Sequence, residues 1–145
     1  MVRELPKIVT IALETGLRKA ELLELTWDRV DLSRVVIRLE VTKSGKRREV
    51  PMRQVVYSVL AGLTGREGRL FRTRSIRTAF ENAVVEAKVD NFRFHDCRHH
   101  FASWFVMRGG GLAALKALLG HSNFQMTLRY AHLAPDHLRA EMLKT

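Results

Sequence analysis

One β-branched run, Val35-Val36-Ile37-Arg38-Leu39-Glu40-Val41, most restricts the fold, because apolar residues elsewhere recur at helical spacing. The run predicts a strand, Lys43-Ser44-Gly45-Lys46 a turn, and Arg47 to Pro51 a returning partner, which together make a small hairpin. Ahead of it, Ile8, Val9, Ala12 and Leu13 predict a helix over Pro6 to Glu14, with Gly16 at its C-terminal end. A second helix starts near Arg18, buries Leu22 and Leu25, and gives way to a turn at Thr26-Trp27-Asp28. Beyond the hairpin the spacing predicts helices over 53–62, 75–88, 96–108, 112–119, 124–130 and 136–143. Ile76, Phe80, Ala83, Val84 and Ala87 form one apolar stripe. The expected class is mainly α with a small β-hairpin or sheet (α+β).

The 145 residues suit one compact domain and exclude two large ones. With 46% hydrophobic and 28% charged residues, the composition excludes wholesale disorder. No stretch approaches the roughly 18 uncharged apolar residues of a membrane span, and no signal-peptide core opens the chain. Cys97 is the single cysteine, so no intrachain disulfide can form. These features predict a soluble, cytoplasmic protein with no membrane partner. The net charge of +10 is local: residues 43–77 carry +8, whereas residues 1–42 balance to zero. Such a concentration fits a surface that meets a polyanion, and equally a solvated basic face.

Three segments concentrate chemically able side chains. In Thr15-Gly16-Leu17-Arg18-Lys19-Ala20-Glu21, Arg18 opens a helix, where a cation is a poor match for the helix dipole. Two readings stay open: a surface Arg18–Glu21 pair at i, i+3, or a guanidinium and helix-start amides meeting an anion. In His95-Asp96-Cys97-Arg98-His99-His100, His95 and Arg98 share a helix face and could reach one phosphate. His95 and His99 also have zinc-ligand spacing, but the intervening glutamate of a His-Glu-x-x-His site and a third ligand are lacking. His99 reads instead as a buried, hydrogen-bonded helix residue and His100 as an exposed one. The third segment is Leu118-Leu119-Gly120-His121-Ser122-Asn123, followed by Thr127-Leu128-Arg129-Tyr130-Ala131-His132. A tyrosine so placed is most simply a packing residue; its company makes Tyr130 a candidate.

Taken together, Arg18, Lys43, His95, Arg98, His121 and Tyr130 form a set suited to phosphoryl transfer. Two arginines neutralise the oxygens of a phosphodiester, a phenol attacks phosphorus, and a lysine protonates the departing alkoxide. Histidines donate hydrogen bonds or carry protons near neutral pH. No acidic cluster for Mg²⁺ accompanies them, which argues against a two-metal nuclease.

The sequence strongly resembles the catalytic domain of the tyrosine recombinases, the phage integrase family. The matching phrases are Thr15 to Glu21, Thr42 to Lys46 with Val50-Pro51, His95 to His99, Leu118 to Ser122, and Tyr130-Ala131-His132-Leu133. Five such phrases in family order are very specific, although each is weak alone. The resemblance implies that Arg18 and Arg98 clamp the phosphate. It makes Tyr130 the nucleophile that forms a 3′-phosphotyrosine and frees a 5′-hydroxyl. Lys43, preferred to Lys46, becomes the general acid; His95 supports proton transfer with the tyrosine; His121 donates to the phosphate; and Glu21 organises the site. No metal, nucleotide or other cofactor is implied. Cys97 and His100 depart from the family's usual residues at structural positions.

The resemblance also implies double-stranded DNA as partner, a homotetramer on paired sites for a full-length member, and a monomer for the isolated domain. The whole chain, 1–145, reads as one catalytic domain without the family's N-terminal core-binding domain. Arg47, Arg48, Arg72, Arg74 and Arg77 are the expected DNA-contacting arginines of the basic strip. A non-catalytic DNA-binding relative and a type IB topoisomerase-like nicking and rejoining activity are the competing functions.

Overall fold

The computed structural model describes residues 3–40, 47–136 and 138–144. Helix α1, Leu5–Thr15, begins with Pro6 in its first turn, where the missing N–H costs nothing. It buries Leu5, Ile8, Ile11, Ala12 and Thr15, while Val9 and Leu13 pack at the edge of the core. Gly16 stops it in the left-handed region at φ 73°, its N–H closing on the Ala12 carbonyl at 3.0 Å. A side chain at Gly16 would also strike Phe101 and Leu119, each 2.7 Å from the Cβ position. The chain therefore turns straight into α2, Lys19–Leu23, with Arg18 at the joint.

A short 3₁₀ turn at Trp27–Arg29 leads to β1, Val30–Asp31, then β2, Val36–Glu40, and β3, Arg47–Pro51. The three strands form one antiparallel sheet in the order β1-β2-β3. The expected hairpin is present, but β1 adds an edge strand that two residues are too short to announce as a pattern. Val30 pairs with Ile37, and Ile37 with Val50. Leu39 pairs with Arg48, so Arg48 shares the buried face with Val50, whereas Arg47 and Glu49 point outward. The expected turn at Lys43 lies outside the described residues.

Five helices follow the sheet: α3 (Gln54–Ala61), α4 (Arg77–Glu86), α5 (Asp96–Met107), α6 (Leu112–Leu119) and the short α7 (Gln125–Leu128). After a 3₁₀ turn at Ala131–Leu133 comes α8, Leu138–Leu143, which buries none of its residues. Most expected helices appear within two residues of their predicted ends; the last turns are shorter than predicted. On α4 the stripe holds at Ile76 and Phe80, but Ala87 is exposed. The larger core joins α1, α2, the sheet, α3 and α4 around Ile8, Leu22, Ile37, Leu60 and Phe71. A smaller one gathers Ala102, Val106, Leu115, Leu119 and Tyr130. Helix α5 belongs to both, with Cys97 in the first and Ala102 and Val106 in the second. Among the described residues no helix is long and apolar enough to cross a membrane.

Candidate active site

The carbonyl end of α6 organises the site. A helix leaves its last carbonyls without partners, and their dipoles favour cations. Gly120 (φ 70°) and His121 both donate their N–H to Lys116. The next two open carbonyls each receive an arginine. Arg98, 4% exposed, donates through Nη2 to Leu119 O at 2.6 Å and through Nη1 to Gly16 O at 2.8 Å. Arg48, 9% exposed, donates through Nε to Leu118 O at 3.0 Å. Its two terminal nitrogens grip Glu21 at 2.6 and 3.0 Å, a bidentate ion pair. Gly120 makes room for this guanidinium: a Cβ there would lie 2.8 Å from Arg48 Nη1.

Glu21 carries the support one step further. Its Oε1 accepts the backbone N–H of Arg18 at 2.9 Å. The Arg18–Glu21 relation is thus backbone to carboxylate, neither a surface side-chain pair nor an open amide awaiting an anion. Burial pushes the Glu21 carboxyl up, but the Arg48 hydrogen bonds, the Arg18 N–H, and the Arg48 and Arg98 charges outweigh it and hold it below the ordinary value. The exposed Arg18 side chain reaches a cleft of about 290 Å³ that it shares with Lys19, Arg93, His95 and Arg98. Arg98 has five N–H groups and gives two hydrogen bonds to carbonyls, which leaves donors for that cleft. Burial, then the nearby Arg18, lower its pKa to about 10, so it stays charged at neutral pH.

Tyr130 is packed beside this floor, 6% exposed. Its hydroxyl lies 2.6 Å from His99 Nδ1, one residue along α5 from Arg98. Burial raises the phenol pKa, and the Arg129 and Arg98 charges oppose that rise. The phenol and the His99 ring share this hydrogen bond, and the His99 tautomer sets which of them donates. His95 stands edge-to-face against His99, ring centres 5.0 Å apart. Partial desolvation, then His99, Arg98 and Arg18, hold His95 below its ordinary pKa. His121 is buried, and its Nδ1 meets the Thr127 hydroxyl at 2.7 Å. Desolvation first, then Arg98 and Arg18, push its pKa down to about 4, leaving a neutral ring.

The structure thus brings Arg18, Glu21, His95, Arg98, His121 and Tyr130 into one neighbourhood, while Lys43 lies outside the described residues. The basic strip is less uniform than expected. Arg48 is corrected from a DNA-facing arginine to a buried tie, because strand alternation turns it inward onto Glu21 and Leu118 O. Arg47 remains exposed, 3.8 Å from Glu40. Arg72, Arg74 and Arg77 are exposed, Arg77 pairing with Glu81 one helical turn on. Sequence reasoning passed over His99 as a structural residue. The signal available was its i+4 spacing from His95 beside Arg98, used there only to weigh zinc. A larger cleft of about 520 Å³, lined by Glu14, Arg53, His100, Trp104 and Arg108, holds none of the predicted residues.

Residues 4–137 match the phage integrase family. The chain belongs to that family. It is 40% identical over 140 residues to the integrase of Haemophilus phage HP1, covering 94% of this chain and 40% of that protein. It is 33% identical over 143 residues to the tyrosine recombinase XerA of Saccharolobus solfataricus, covering 94% of this chain and 48% of that one. The solved catalytic domain of bacteriophage HP1 integrase superposes with a TM-score of 0.83 over 97% of this chain and 82% of that one, at 40% identity. The Tn1549 transposon integrase in complex with a circular intermediate DNA superposes at 0.76, with 26% identity, over 96% and 58% of the two chains. The α+β arrangement described above is therefore the integrase catalytic-domain fold. The chain spans about 40% of the length of the phage integrases it matches.

Proposed function

We propose that this chain is the catalytic part of a site-specific DNA recombinase that cuts and rejoins DNA through a 3′-phosphotyrosine. The observation that carries the reading is the position of the Tyr130 hydroxyl. It is hydrogen-bonded to the residue after Arg98, and its charge and that of Arg98 influence each other. In this reading the scissile phosphate enters the cleft of Arg18, His95 and Arg98. The two guanidinium groups offset the charge gathered on its oxygens in the transition state. His121, held neutral with Nδ1 on Thr127, directs Nε2 as a further hydrogen-bonding group. Tyr130 attacks phosphorus, the 5′-oxygen departs with a proton from Lys43, and the bond energy is kept in the phosphotyrosine. Arg48 and Glu21 act beneath, fixing α2 and β3 to the end of α6 so that Arg18 keeps its place.

Double-stranded DNA is the substrate, with Arg47, Arg72, Arg74 and Arg77 offering charge around the site, and a tetramer on paired sites is the working assembly of the full-length protein. A nicked duplex that loses a short 5′-hydroxyl fragment on cleavage tests the reaction. The expected product is a covalent protein–DNA adduct that forms in EDTA and disappears in Tyr130→Phe. An adduct that persists in Tyr130→Phe, or none with the unaltered chain, overturns the assignment. Transfer of the trapped strand to a second duplex distinguishes recombination from nicking and rejoining alone.

A further inference from the structure

We propose that His99, rather than His95, is the immediate acceptor of the Tyr130 proton during strand cleavage; this rests on the reading of Tyr130 as nucleophile. The two histidines occupy successive turns of one helix face but meet different groups. His95 lines the cleft with Arg18 and Arg98, where a phosphate would sit. His99 is half-buried and touches the phenol oxygen itself at 2.6 Å through Nδ1. The tyrosine is nearly sealed from solvent, so a proton leaving it needs an acceptor within the protein. Arg129 also hydrogen-bonds the phenol, but a guanidinium only donates; of the two partners His99 is the one able to accept the proton. With the ring proton on Nε2, the Nδ1 lone pair faces the O–H at this distance.

The step balances as follows. The Tyr130 O–H bond breaks and its proton passes to His99 Nδ1 while the phenolic oxygen bonds to phosphorus. The phosphorus–5′-oxygen bond breaks, and that oxygen takes a proton from Lys43. His99 becomes an imidazolium and returns the proton when rejoining restores the phenol. His95 is left to donate a hydrogen bond to the phosphate from its exposed position on the cleft wall. The arrangement assigns one ring to the nucleophile and the other to the electrophile.

Single-turnover adduct formation on the nicked duplex tests this with His99→Gln, His95→Gln and Tyr130→Phe, alongside thermal melts. Loss of a general base predicts that His99→Gln slows cleavage by about 100- to 10,000-fold. A difluorotyrosine in place of Tyr130, whose phenol ionises more readily, should recover at least about tenfold of that loss in His99→Gln and give no such recovery in His95→Gln. A His99→Gln rate within about threefold of the unaltered protein, with Tyr130→Phe inactive, overturns the proposal and leaves the nucleophile in place. No adduct at Tyr130 in the unaltered protein overturns both. A second measurement avoids altering His99 at all. With difluorotyrosine in the otherwise unaltered chain, the rising limb of the pH–rate profile should not move. A limb that follows the lower phenol pKa shows direct ionisation and overturns the acceptor role.

Discussion

Arg47 and Arg48 are neighbours in sequence and opposites in use. Arg47 projects from β3 into solvent near Glu40, whereas Arg48 is buried against Glu21 and the end of α6. The same division separates Arg98 from Arg72, Arg74 and Arg77. An arginine inside the fold commits its planar fork to carbonyls and a carboxylate and so fixes where loops lie. One on the rim contributes charge, screened by salt and loosely positioned. A basic strip counted along the sequence therefore mixes two kinds of residue, and the catalytic floor rests on the buried kind.

Removing Arg98 should have the largest consequence. Arg98→Leu takes a charge from the cleft and leaves the Gly16 and Leu119 carbonyls without donors. Adduct formation should fall by at least about 100- to 1,000-fold, and urea denaturation should report a loss of about 1–3 kcal/mol per stranded carbonyl. Unchanged cleavage would deny the buried floor any part in the chemistry. Next, Arg48→Met leaves Glu21 half-buried without its partner and should lower stability by about 3 kcal/mol. Arg47→Met should stay within about 0.5 kcal/mol. Equal losses at both positions would erase the distinction between them.

The rim should answer to salt instead. Arg72→Gln, Arg74→Gln and Arg77→Gln together should flatten the slope of log K against log[salt] by up to about 2.7, with the urea midpoint unmoved. A slope that stays put would take these three off the DNA path. The smallest expected effect is acid sensitivity. The His121 pKa falls from 6.5 in the unfolded chain to about 4 in the fold. The unfolded chain thus gains a proton as the pH drops below 6.5 while the folded one refuses it, so stability is full above 6.5 and declines toward 4. Denaturation midpoints measured at pH 7 and pH 5 should differ less in His121→Gln than in the unaltered protein; an unaltered difference would exclude His121 as the source.

Much of this was legible in the residues. Gly16 announced a helix end because φ near 70° suits glycine, and the run from Val35 announced β2 because its β-branched side chains fit a pleated surface. The pairing of Val50 with Ile37 could have turned Arg48 inward on paper, since residues two apart share a strand face. The partnership of His99 with Tyr130 could not be read so, because 31 residues separate them and the packing of α5, α6 and the 3₁₀ turn at Ala131–Leu133 brings them together.

Local chemistry alone determined which segments are helical, where the hairpin falls, and which side chains are able to act on a phosphodiester. Short-range periodicity and backbone preference act within a few residues, so they leave a trace in the linear order. Tertiary structure alone decided that Arg98 is buried, which histidine meets the tyrosine, and which carbonyls hold the guanidinium groups. Those outcomes depend on the packing of α1, α5, α6 and the sheet against one another, and desolvation at their junction sets the charge states.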